Sequence, residues 1–304
     1  MHCLLRWMSS GLLLMALATP VCALVNVFAT VPEWGALAQE LGGDKVNVYV
    51  ATTALQDPHR IEAKPSLIAK ARNADLVIAT GAELEIGWLP LVTQQSGNPR
   101  VRPGQPGYFE AAPLVPMLER PARLDRSDGD VHPGGNPHIQ TDPRNILRVA
   151  GPLTTRLAEL DPTNAAFYQA RGKSFTDRFG AAIVDWERQG SALRGVAVIV
   201  QHKSFTYLIA WLGMNEVATL EPKPGVEPTT AHLSTVLASL QRQPVKMVLR
   251  AAYQGNRASQ WIVERTKINP VVLPFTVGGD EQAKDLFSLF DDTLARLQKG
   301  AQSP

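Results

Sequence analysis

Short apolar runs alternate with helical stretches along almost the whole chain, and that alternation admits few folds. Val25–Ala29 is a short apolar run, and Pro32-Glu33-Trp34 then opens a helix over 32–41 that Gly42-Gly43 stops. Residues 45–51 alternate as a strand through Val46, Val48 and Val50. Pro65 starts a helix over 66–73. Residues 74–79 (ADLVIA) form the continuous apolar run of a strand buried on both faces. Repeated strand–helix–strand order predicts a parallel α/β lobe.

Residues 96–137 are rich in Pro and Gly, which predicts a short strand or two and an exposed loop around 125–137. Asp142-Pro143 begins a helix running to about Leu160. Residues 163–192 then carry one long amphipathic pattern through Phe167, Ala170, Phe175, Phe179, Ile183 and Trp186, weakened by Gly172, Gly180 and Gly190. About 28 helical residues span roughly 40 Å. After Gly195 the alternation resumes: strand 196–200, helix 204–212, strand 216–220, helix 229–242, strand 245–250, helix 256–266, strand 270–274 and a helix over about 283–298. The expected fold is therefore α/β, with two parallel-sheet lobes at 24–160 and 195–304 joined by one long helix over 161–194.

Residues 1–23 read as a secretory signal peptide. Arg6 supplies the charged region, 12–18 the apolar stretch, and Val21 and Ala23 the small residues before a cleavage site. The apolar run is too short to span a bilayer. Pro20 and Val21 do not suit lipid attachment at Cys22, so cleavage after Ala23 into the periplasm is expected. Cys3 and Cys22 both fall in this segment, so a transition-metal site in the remainder must use His, Asp or Glu. A net charge of +2 without any Lys/Arg run gives no reason to expect nucleic acid or a membrane surface as partner.

Five histidines remain: His59, His132, His138, His202 and His232. His59 lies in QDPHRIEAKP after the 45–51 strand, His138 in GNPHIQTDP before a helix, and His202 in VQHKSF directly after the 196–200 strand. Ligands of open parallel sheets bind beyond the carboxyl ends of strands. Two of these histidines occupy such ends, one per lobe, which places all three in an inter-lobe cleft. Any one histidine taken alone is more often a surface or satisfied core residue; the joint placement carries the metal reading, and Pro58 and Pro137 stiffen two of the loops.

These same segments carry a family resemblance. DPHRIEAKPS, NPHIQTDPRN, QHKSFTYLIAWLGM and EPKPGVEPTTAHL together resemble the ordered motifs of cluster A-I metal-binding proteins, the zinc and manganese receptors of ABC transporters. The resemblance covers nearly all of the chain after residue 23. It implies two parallel-sheet lobes linked by a rigid helix, with the metal between them, and a membrane permease as partner. It assigns metal contact to His59, His138 and His202. For the fourth ligand it points to an Asp near the last helix: Asp285, with Phe287 and Phe290 at +2 and +5, or alternatively Asp280 after a glycine. Either aspartate also suits a helix N-terminus.

Departures from the family pattern are Asn136, where an Asp is usual, and Gln140, where an aromatic is usual. The family's long His-rich loop is replaced by the short DRSDGDVH, with Asp125, Asp128, Asp130 and His132. His132 is a candidate auxiliary metal contact, fed from a periplasmic zinc chaperone, against the alternative of a solvated polar loop. Three imidazoles and a carboxylate suit tetrahedral Zn²⁺ better than Mn²⁺, and His202 decides, because the manganese relatives carry Glu there. Glu62, Asp142, Glu221 and Glu227 are candidate acceptors for the imidazole N–H groups. Zinc affinity is expected to fall as pH drops through about 6.5. The reading is a monomeric zinc receptor, not an enzyme. The alternatives are a manganese receptor of the same family or, with less support, a zinc hydrolase, for which HExxH and an evident general base are missing.

Overall fold

The structure, a computed structural model, describes residues 24–121, 129 and 132–302. The expected signal segment and Asp125, Asp128 and Asp130 lie outside the described residues.

The first sheet holds β1 (Val25–Ala29), β2 (Val46–Val50), β3 (Leu76–Ala79) and β4 (Tyr108–Glu110), all parallel, in the order β2-β1-β3-β4. The second holds β5 (Ala197–Val200), β6 (Asn215–Thr219), β7 (Met247–Ala251) and β8 (Asn269–Leu273) in the matching order β6-β5-β7-β8. Val198, Ile199 and Val200 of β5 and all four residues of β3 are buried, as runs without alternation require when helices cover both faces. Crossovers are made by α1 (Pro32–Gly42), α2 (Pro65–Arg72) and α3 (Leu89–Ser96) in the first lobe, and by α6 (Thr206–Leu212), α7 (Thr230–Leu240) and α8 (Arg257–Thr266) in the second. Three of these, α1, α2 and α3, open with Pro in the first turn, where its missing N–H costs nothing.

Between the lobes run α4 (Pro143–Leu160) and α5 (Ala165–Gly190); α9 (Leu286–Gln302) closes the chain. The two sheets and the long helix are the architecture read from the sequence. At 26 residues, α5 spans about 39 Å. It buries Tyr168, Phe175, Phe179, Ile183 and Trp186 along one face, each contributing roughly 1.5–3 kcal/mol of apolar transfer. The helix is tied to both lobes: Arg171 Nε donates to the Glu40 carbonyl at 2.8 Å, and Trp186 Nε1 donates to Asp291 Oδ1 at 2.7 Å.

The α5 glycines differ in purpose. A Cβ on Gly172 would lie 2.4 Å from Thr154 Oγ1 on α4, so the two helices cross there at glycine contact distance. Around Gly180 no atom comes within 4 Å of such a Cβ. Gly180→Ala is therefore expected to raise stability by about 0.5–1 kcal/mol, the backbone-entropy difference. Gly172→Ala should lower it, because Thr154 must move. Urea midpoints of the two variants check this: a gain in both would mean that the crossing is not tight.

Candidate metal centre

The three histidines meet. His59 Nε2 lies 3.3 Å from His138 Nε2, which lies 3.3 Å from His202 Nε2. The ligand atoms of the three all fall within 4.8 Å of one another, and among the described residues no carboxylate belongs to that group. For a tetrahedral ion with Zn–N bonds of 2.0–2.1 Å, two ligating nitrogens lie about 3.3–3.4 Å apart. Two of the three separations, both from His138, thus already stand at the edge length of a tetrahedral zinc site.

Each ring is fixed by its own loop. His59 follows β2; its backbone N–H donates to Asp57 Oδ1 at 3.0 Å, and the buried Trp88 indole donates to the Pro58 carbonyl at 3.1 Å. His138 is 1 % exposed, and its backbone N–H donates to Asn136 Oδ1 at 2.9 Å. Asn136 Nδ2 in turn donates to Glu119 Oε2 at 3.0 Å and to the Lys203 carbonyl at 2.8 Å, joining the His138 and His202 loops. An aspartate there would set a carboxylate against Glu119, so the departure from the family pattern has a local cause. Tyr207 Oη donates to the Asn136 carbonyl at 2.8 Å from α6. The edge of the His138 ring packs on Phe275, whose φ of 66° is a strained value for a bulky side chain.

Of the four candidate acceptors, Glu221 serves the site. Its Oε2 lies 2.7 Å from His202 Nδ1 and also accepts the Gly225 N–H at 2.8 Å. That contact places the proton on Nδ1 and the lone pair on Nε2. Asp142 instead caps α4 through the Arg144 N–H. Glu62 is exposed, and Glu227 lines a neighbouring cavity. His138 Nδ1 is buried with no hydrogen-bond partner among the described residues. The sequence singled out neither Trp88 nor Tyr207; their buried polar contacts become visible only in three dimensions.

Burial, followed by the neighbouring His132, His202 and Arg60, lowers His59 to about 3. Burial, followed by the other rings, holds His138 well below its ordinary range. Both rings are thus neutral, as metal ligation needs, far below pH 6.5. The expected loss of affinity through pH 6.5 therefore does not extend to these two.

His132 stacks on His59 with ring centroids 5.1 Å apart and lines a smaller cavity with His138 and His202. It stands beside the three-nitrogen group, not within it.

The aspartates expected as fourth ligand are elsewhere. Asp285 is an exposed cap on α9, its Oδ1 accepting the N–H groups of Phe287 at 3.0 Å and Ser288 at 2.8 Å. Asp280 pairs with Arg296 at 2.5 Å and accepts the Gln282 and Ala283 N–H groups. Phe287 and Phe290, whose spacing singled out Asp285, pack instead on Phe179 and Trp186 of α5. The Gly278-Gly279 segment is closed by the Gly278 N–H to the Ala283 carbonyl at 2.6 Å. Asp285→Ala is expected to cost about 0.5–2 kcal/mol, the loss of an N-cap, and to leave metal affinity unchanged. Weakened metal binding at unchanged stability would return Asp285 to the site.

With this geometry established, the chain can be set beside known proteins. Residues 27–300 match the family described as ZnuA, zinc-uptake complex component A, periplasmic. The chain belongs to this family. It is similar to the manganese ABC transporter substrate-binding lipoprotein PsaA of Streptococcus pneumoniae, 23 % identical over 91 % of this chain and 88 % of that protein. It is also similar to the metal ABC transporter substrate-binding lipoprotein ScbA of Streptococcus cristatus, 21 % identical over the same shares. Crystalline ZnuA has the same fold, with a TM-score of 0.74 at 21 % identity over 91 % of this chain and 98 % of that one. FpvC of Pseudomonas aeruginosa, solved in complex with Mn²⁺, gives 0.73 at 20 % identity over 90 % and 99 %. This ZnuA-family chain is thus a substrate-binding component of a metal ABC importer, facing the outside of the membrane, and not an enzyme. No helix of the described residues is long and apolar enough to cross a membrane.

Proposed function

We propose that this chain is a periplasmic zinc receptor in which His59, His138 and His202 capture Zn²⁺ for release to the membrane permease of its ABC transporter. The observation that carries the reading is the pair of 3.3 Å Nε2–Nε2 separations, which match a tetrahedral zinc edge. An all-imidazole protein set supports zinc over manganese, which favours oxygen donors. His132, stacked on His59, serves as an auxiliary contact on the route inward, supplied in this reading by a periplasmic chaperone. The two lobes at 24–160 and 195–304 act as the walls of the site. With α5 anchored to Glu40 on one side and Asp291 on the other, loading proceeds by local closure around the rings and not by a wide hinge.

Manganese is the second reading, favoured by the manganese named in PsaA and carried by FpvC. Metal content and competitive titration of residues 24–304, wild type against His202→Glu, separate the two. One tightly held zinc in the wild type, with selectivity moved toward manganese in the variant, is expected. Manganese held in preference by the wild type would overturn the zinc assignment.

A further inference from the structure

Arg60 is a cation set beside a cation-binding site. It follows His59 in the chain, and after burial and the rings of His132 and His202 its charge also lowers the His59 imidazole. Like charge next to a divalent ion opposes binding, by an amount that salt screens. What the guanidinium gives in return is visible in its hydrogen bonds.

Arg60 Nη2 crosses from the first lobe to donate to the Gly225 carbonyl at 2.8 Å, while its Nε lies 3.9 Å from Asp57 Oδ2 in its own loop. Gly225 has a φ of 73°, in the left-handed region that glycine adopts without strain. In that conformation its N–H donates to Glu221 Oε2 at 2.8 Å while its carbonyl faces Arg60. Glu221 Oε2 in turn lies 2.7 Å from His202 Nδ1. Arg60, Gly225, Glu221 and His202 thus form one series, from the loop of one ligand to the ring of another. The base of the 221–225 loop is fixed separately. The Glu221 N–H donates to the Gln201 carbonyl at 3.1 Å, and Thr219 Oγ1 donates to the Glu221 carbonyl at 2.8 Å. The tip turns through the Val226 N–H to the Lys223 carbonyl at 3.0 Å and reaches the first lobe through Arg60.

Other hydrogen bonds cross between the lobes: Asn136 Nδ2 to the Lys203 carbonyl at 2.8 Å and Thr276 Oγ1 to Glu33 Oε2 at 2.6 Å, both wholly or partly buried. The Arg60 side chain is 64 % exposed, so its replacement leaves the core untouched. We propose that Arg60 is a positioning residue for the metal site: its bond to Gly225 holds the 221–225 tip so that Glu221 keeps His202 with the proton on Nδ1 and the lone pair on Nε2. The inference rests on the metal-receptor reading and deepens it, because it names what holds one ligand ring ready for the ion. Without the bond the tip moves, the Gly225 N–H leaves Glu221, and the carboxylate turns away from Nδ1. His202 then populates both tautomers, and in one of them Nε2 carries a proton and has no lone pair for a metal.

The direction of the effect separates positioning from charge. An Arg60 that acted through its charge alone would repel the ion, and Arg60→Ala would slow the release of zinc. Positioning requires the reverse. In stopped-flow release of zinc from residues 24–304 into excess chelator, Arg60→Ala is expected to be about fivefold to tenfold faster than wild type, the loss of one hydrogen bond. Arg60→Lys, which keeps a donor, should stay within about twofold of wild type. Because Arg60 acts through Glu221, adding Arg60→Ala to Glu221→Gln should change the rate by less than about twofold. Long-range proton–nitrogen NMR of the metal-free protein reads the ring itself. His202 is expected to be protonated on Nδ1 in wild type and to mix both tautomers in Arg60→Ala, with His138 unchanged. Release that is slower or unchanged in Arg60→Ala, an undiminished effect in the Glu221→Gln background, or a His202 ring that keeps one tautomer in Arg60→Ala overturns the proposal and leaves the metal site standing. Zinc held by none of these proteins, wild type included, overturns the metal reading; the tautomers of the metal-free protein then decide on their own whether Arg60 sets the ring.

Discussion

Replacing His138 with alanine is expected to lower zinc affinity by about two to three orders of magnitude, more than any other single replacement. The ring is central: its Nε2 lies 3.3 Å from both partner nitrogens, while it is 1 % exposed and held by Phe275 and Asn136. Protein zinc sites gain about 10–16 kcal/mol over four donors, so one donor is worth roughly 2.5–4 kcal/mol, or about two to three orders of magnitude. His59→Ala should lose less, because His132 stacks on His59 at 5.1 Å and can move into its place. Competition with a zinc-binding dye measures both, and circular dichroism confirms that the fold persists. Equal losses would mean that His132 offers no substitute.

The same burial sets the proton count. With His59 at about 3 and His138 held well below its ordinary range, neither of these two rings is expected to release a proton on binding zinc near neutral pH. Calorimetry in two buffers of different ionisation enthalpy reads that number. The sequence expectation of a general loss through pH 6.5 assumed solvated imidazoles; burial and mutual repulsion remove two of the three from it.

What the sequence made legible follows from what each signal encodes. Apolar runs such as 74–79 and 196–200 report burial on two faces, and burial on two faces in β–α alternation leaves little choice but parallel sheets. The α3 helix escaped because LPLVTQQS carries a proline, a threonine and no charge, so its amphipathic face is faint. The three histidines were legible because strand ends in a parallel sheet face one crevice. The fourth ligand was not, because an aspartate followed by aromatics at +2 and +5 is equally the pattern of a capped helix packing on α5. Glu221 could not be told from Glu62, Asp142 or Glu227 by spacing alone. What selects it is the return of the 221–225 loop, where Arg60 Nη2 of the first lobe donates to the Gly225 carbonyl at 2.8 Å.

Glu33→Gln is expected to make the protein more stable at pH 8, by an amount on the order of 3 kcal/mol, with the difference closing as pH falls toward 4.5. Glu33 sits in the first turn of α1, 1 % exposed, and accepts Thr276 Oγ1 at 2.6 Å across the lobe boundary. Burial pushes its carboxyl from 4.5 up to about 7, against hydrogen bonds from Thr276, its own backbone and Gln140, and with the buried Glu85 adding to the rise. The folded state therefore holds a proton between about 4.5 and 7 that the unfolded chain has released. This contribution is fully present below 4.5 and is lost as pH rises through 7. A glutamine keeps an acceptor for Thr276 and never ionises. The buried imidazoles act in the opposite sense, since His59 and His138 favour protonation of the unfolded chain below pH 6.5. Subtracting wild-type from variant stabilities cancels them and isolates Glu33. Urea unfolding of both proteins at pH 4.5, 6 and 8 gives that difference. A difference that does not change with pH would show that Glu33 is ionised throughout. A variant less stable at pH 8 would show that Thr276 requires the charged carboxylate, and that this cross-lobe contact is a charge-assisted bond and not a neutral one.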